Sequence, residues 1–138
     1  MASSASRYLF LFLIGLVIGI VATVVSMRAI DARTDHFPAS VMDVMAWHMG
    51  QLKKNTEQNR CAATDTLPHL QALRAMANDI EPAFPDLHDD QRFGQHASNL
   101  RGSLDAALAS PPLNCRGVGT TLGKIDDSCQ ACHREFRD

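Results

Sequence analysis

Cys129-Gln130-Ala131-Cys132-His133 closes the last helical stretch of a 138-residue chain, and three different folds lay claim to such a sequence. A C-x-x-C pair in βαβ surroundings is a redox-active dithiol, two such pairs make a zinc site, and C-x-x-C followed at once by His is the attachment signature of c-type haem. The rest of the chain separates them. Cys61 and Cys115 stand alone, so zinc lacks its second pair. No stretch alternates apolar and polar residues for long enough to be a strand, so the dithiol lacks its βαβ unit. Haem attachment needs these residue types at this spacing. Two thiols three positions apart lie on adjacent turns of a helix and can each form a thioether to one vinyl group, while the next residue's imidazole reaches the iron from the same side.

On both sides of the motif the apolar residues recur at helical spacing. The spacing predicts a helix from about Asn114 to Phe136, preceded by one from about Asp89 to Leu108 that ends at Pro111-Pro112. Before the two-proline break Glu81-Pro82-Ala83-Phe84-Pro85-Asp86, a segment from about Cys61 to Ile80 carries Leu67, Leu70, Leu73, Met76, Ala77 and Ile80. Pro68 should start, kink or interrupt that segment. A further helix is expected from about Pro38 to Lys54, with Val41, Val44, Met45, His48 and Leu52 on one stripe. Four helices joined by short links predict an all-α, antiparallel four-helix bundle over 38–138.

The N-terminal quarter is different in kind. Tyr8 to Met27 is an uncharged run of twenty residues which, as a helix of about 30 Å, matches the hydrocarbon thickness of a bilayer. The reading is an anchor over 1–27 and a polar linker over 28–37. A cleaved signal is the alternative, although the run exceeds the usual signal core and no A-x-A site follows it. With 46% apolar residues over the whole chain, this segment leaves roughly one hundred residues for a core, which excludes a second catalytic domain. Beyond residue 33 there are ten basic residues against fourteen acidic ones, so no basic patch is available and nucleic acid is not an expected partner.

The C-terminal motif, followed by Arg134-Glu135-Phe136-Arg137 in the pattern x-x-aromatic-Arg, resembles the class II c-type cytochromes, the cytochrome c-prime family and its low-spin relatives. Val41-Met42-Asp43-Val44-Met45-Ala46-Trp47-His48-Met49-Gly50-Gln51-Leu52 is similar to that family's first helix, and Ala83-Phe84-Pro85-Asp86 to its loop between helices two and three. The resemblance runs through 38–138 and implies one covalent haem c held by Cys129, Cys132 and His133. It also implies a homodimer formed through the first two helices. The anchor departs from the family, whose typical members are soluble.

Aligning the Met-Ala-x-His-x-Gly stretch places Met42 at the family's sixth-ligand position, where the low-spin branch carries a thioether and the cytochromes c-prime an apolar residue. Topology points the same way, because the start of the first helix and the end of the fourth share one end of an alternating bundle. Met45 and Met49 lie one and two turns further along, and packing is the other role open to all three. A thioether opposite imidazole suits an electron carrier and closes the iron to substrate. No G-x-S-x-G, H-E-x-x-H or P-loop proposes another active site, so the chain reads as non-enzymatic. A five-coordinate haem binding nitric oxide or carbon monoxide is the rival. Arg137 and Arg134 are candidates to offset propionate charge, while His36, His48, His69, His88 and His96 are expected at the surface or its boundary, and Trp47 in the core or an interface.

Haem of this type is attached outside the cytoplasmic membrane, which puts 28–138 in the periplasm of a bacterial inner-membrane protein with a single span. Expected partners are the membrane and redox proteins such as a quinol-oxidising complex or a terminal oxidase. Disulfides are permitted there. Cys61 and Cys115 open helices two and four, which begin at the same end, so they can meet and bridge, or remain two free buried thiols.

Overall fold

The computed structural model describes residues 4–31 and 35–137, and among the described residues the chain is helices and turns without a strand. It divides into two compact units, Met1–His36 and Phe37–Asp138. The first holds one helix, α1 (Ser4–Asp31), whose described side chains are all exposed. Its Ser6–Asp31 portion is long and apolar enough to cross a membrane, a test that a signal sequence also passes. The hydroxyl of Thr23 donates to the Gly19 carbonyl at 2.8 Å, which satisfies the polar side chain within the helix itself. Arg28 to Asp31 belong to α1, so the linker expected over 28–37 is shorter than its polarity suggested. Its residues 32–34 lie outside the described residues.

The second unit is the bundle: α2 (Phe37–Glu57), α3 (Ala63–Met76), a single turn α4 (Ile80–Ala83), a 3-10 turn (Pro85–Leu87), α5 (Gln91–Ala109) and α6 (Cys115–Phe136). α2 packs on α3 and α6, and α5 on α6 and α3, which is the closed ring of neighbours that an up-down-up-down chain makes. The helix boundaries follow from local chemistry. Asp90 caps α5 by accepting from the Arg92 amide at 2.9 Å, and Asn114 caps α6 by accepting from the Gly117 amide at 2.9 Å. α2 stops at Asn59, in the left-handed region with φ 56°. The Arg60 amide then reaches back to the Asn55 carbonyl at 2.8 Å and the Asn59 amide to Thr56 at 3.1 Å, the paired bonds of a Schellman stop.

Two proline-bearing segments take local structures that the sequence left open. Pro68 lies inside α3, which runs through it; its ring is on the exposed side, while Leu70 and Leu73 on the inner side are 2% and 0% exposed. As expected, no helix crosses the two-proline break, which is ordered instead as the single turn α4 and the 3-10 turn on either side of Phe84. Ile80 and Ala83 seal the core there, and Arg101 of α5 fixes the segment by donating to Glu81 at 2.5 Å and to the Ala77 carbonyl at 3.3 Å. The stripe of α2 also shifts. Val41, Met45 and Leu52 are buried, but Val44 lies at the edge of the arc, about 60° from Val41, and is 41% exposed.

Where α3 and α6 begin, Leu52 and Thr66 are fully buried. Cys61 and Cys115 are joined there by a disulfide with Cα atoms 5.1 Å apart, and Asn55 on α2 donates to the Asp65 carbonyl of α3 at 2.9 Å. Along α6 the inward stripe is Val118, Leu122, Ile125, Cys129, Cys132 and Phe136, alternately four and three residues apart as a bundle seam requires. Ile125 is fully buried, whereas from Cys129 onward the stripe is only half-buried. The seam leaves a space at that end.

Candidate functional site

That space is a cavity of about 310 Å³. α6 contributes Cys129, Cys132 and His133, and α2 faces them with Met42, Met45 and Met49. Leu73, Ile80 and Leu100, from α3, α4 and α5, complete a mostly apolar wall. Four residues singled out from sequence, Met42, Cys129, Cys132 and His133, thus line one cavity. Met45 and Met49 were expected to lie away from it, yet both are on its wall, because the cavity runs along α2 for two turns instead of ending at the first.

Both thiols are free. Burial above all, then the Asp126 carboxylate and then Cys132, push the Cys129 thiol up to about 11, and burial followed by Glu135 raises Cys132. A dithiol oxidoreductase requires the opposite, a thiol lowered toward neutral pH by positive surroundings. Among the described residues no group of three or more His, Cys, Asp or Glu side chains is placed to hold a metal ion.

The end of α6 is pinned by Phe136, which packs edge-on against Phe93 at 5.4 Å and His96 at 6.0 Å, with the Arg92 guanidinium 5.6 Å over its ring. Glu135 pairs with Arg92 and with His96 Nε2, the latter at 2.9 Å. These contacts fix the last turn, and with it His133. Arg137 caps the helix, its amide donating to the His133 carbonyl at 3.1 Å; it is exposed and not on the cavity wall, and Arg134 is likewise exposed. His96 is half-buried at the boundary, as expected, and also lines the cavity, which was not expected. Its position three residues after Phe93, at the margin of the buried stripe Phe93, Ala97, Leu100 and Leu104, was the available signal. Trp47, expected in the core or an interface, is 56% exposed.

Chemically the set is consistent with a flat apolar cofactor tethered at two thiols. His133 supplies a nitrogen and the facing methionines supply soft sulfur, both suited to iron.

The chain is 36% identical over 59 residues to cytochrome c-556 of Agrobacterium tumefaciens (strain apple 185). The match covers 43% of this chain and 46% of that protein, so it spans less than half the relative's length. No family model matches the chain, and no solved structure does.

Proposed function

We propose that the chain is a membrane-anchored, periplasmic monohaem c-type cytochrome that carries single electrons between respiratory partners and has no catalytic activity of its own. The observation that carries this reading is the meeting of Cys129, Cys132 and His133 with Met42 on the wall of one apolar cavity. The partial similarity to a cytochrome c-556 supports it.

Cys129 and Cys132 would hold the haem by thioethers to its two vinyl groups. His133 on α6 and Met42 on α2 would hold the iron, and Met42, a soft neutral donor, would favour the reduced state. Leu73, Ile80 and Leu100 make the cavity wall apolar, which would keep water from the macrocycle and reinforce that preference. Arg137, exposed just past the end of α6, would offset the charge of propionates only where these reach the surface. The bound haem supplies a one-electron couple. α1 keeps the domain at the membrane, where a quinol-oxidising complex or terminal oxidase is the exchange partner, and two copies pair through α2 and α3.

Absorption spectra of the oxidised and reduced protein test the ligation. A low-spin spectrum with the long-wavelength charge-transfer band of an iron–thioether bond is expected, and Met42→Ala should lose that band and bind carbon monoxide. A wild-type protein that is already high-spin and takes up carbon monoxide rapidly would transfer the case to gas binding. Membrane fractionation tests the anchor: full-length protein should resist carbonate extraction, and a mature chain lacking Tyr8 to Met27 would refute it.

A further inference from the structure

Outside the cavity, the chain brings two imidazoles together for which the proposed electron-transfer role has no use. His48 of α2 and His69 of α3, 21 residues apart in sequence, face each other with Nδ1 atoms separated by 2.9 Å. Both rings are half-buried, and neither lines the cavity. Trp47 packs edge-on against both, at 4.8 Å and 5.8 Å between ring centroids, and restrains their orientation. We propose that His48 and His69 form a binding site for a divalent transition ion, selective for Cu(II) over Zn(II), that clamps α2 to α3.

The separation decides the metal class. With metal–nitrogen bonds of about 2.0–2.1 Å, two ligands at right angles place their nitrogens about 2.8–3.0 Å apart, whereas a tetrahedral pair needs about 3.3–3.4 Å. The observed distance matches the square-planar or tetragonal case, the preference of Cu(II) and Ni(II), and is about 0.4 Å shorter than a tetrahedral Zn(II) pair requires. The protonation state also suits a ligand. Burial, and then the neighbouring His69, depress the His48 pKa, so this ring is neutral at neutral pH. In the metal-free pair one Nδ1–H donates to the other Nδ1. When the ion enters, that proton moves through solvent to Nε2 of the same ring, both Nδ1 lone pairs face the metal, and the rings keep their charge. Water completes the coordination.

The test uses the full-length protein titrated separately with Cu(II), Ni(II) and Zn(II), followed by electron paramagnetic resonance for copper and by calorimetry for all three. One Cu(II) per chain should bind in an axial signal with superhyperfine coupling to two imidazole nitrogens. Zn(II) should bind more weakly by about tenfold or more. His48→Gln and His69→Gln should each weaken Cu(II) binding by about tenfold or more, with circular dichroism confirming the fold. Should either variant fail to fold, the nitrogen count in the wild-type resonance decides alone. Copper affinity unchanged in both folded variants would overturn the proposal, as would a wild-type signal without two-nitrogen coupling, or Zn(II) binding as tightly as Cu(II).

Discussion

α6 carries a cysteine at its first residue and two more near its last, and the two ends treat them in opposite ways. At the start, Cys115 is joined to Cys61, in a region where Asn55, Thr66 and Leu52 are buried and every buried polar group has a partner. Near the finish, Cys129 and Cys132 are free, half-buried and face a cavity. The same residue type serves chain entropy at one end and is left available for chemistry at the other. Packing makes the difference: where the seam is filled the thiols have only each other, and where it is open they face space that a ligand can fill.

Replacing both Cys129 and Cys132 by Ser breaks the comparison most severely. Covalent haem should vanish entirely, so that denaturing electrophoresis shows no haem-stained band, while wild-type protein keeps its band after thiol reduction. Loss of all haem from wild-type protein on acid-acetone extraction would contradict the attachment. The Cys61→Ser, Cys115→Ser pair should leave the haem band intact but lower stability by roughly 4 kcal/mol in the chain-entropy model for a 54-residue separation, read as a shift in the denaturant midpoint.

Core truncation sharpens the contrast within one helix. Leu52→Ala, at a site with no exposure, should cost about 2–5 kcal/mol, whereas Met49→Ala, half-buried on the cavity wall, should cost clearly less in the haem-free protein. Equal costs would mean that the cavity end is as tightly packed as the other. The smallest effect is expected from Asn114→Ala, which removes the cap of α6 for about 1 kcal/mol and should leave the haem spectrum unchanged, because the cap lies at the opposite end of the helix from His133.

The all-α class, the four long helices and the pairing of Cys61 with Cys115 were legible in the sequence because periodicity, prolines and caps act locally, and an alternating bundle leaves little freedom in which helix ends meet. The fate of the two-proline segment was not. Pro82 and Pro85 argue against a long helix, but a single helical turn asks little of the residues that form it, and the burial of Ile80 and Ala83 with the Arg101–Glu81 contact decides for it. Pro68 is accommodated within α3 because one missing amide near the helix start weighs less than the packing of Leu70 and Leu73.

By itself the sequence determined the motif chemistry, because Cys129, Cys132 and His133 are neighbours along the chain and their geometry is that of a helix turn. It also determined that Tyr8 to Met27, the greater part of α1, carries no charge. Only the tertiary structure decided what faces those three residues. Met42, Met45 and Met49 occupy neighbouring turns of α2, and which of them meets the cavity depends on how far the space extends between α2 and α6. The placement of His96 on its wall and the approach of His48 to His69 are of the same kind, contacts between side chains on different helices fixed by helix rotation and depth of packing. Periodicity along one chain specifies the face of a helix to within a broad arc, and a difference of a few tens of degrees inside that arc separates a buried side chain from a ligand or an exposed one.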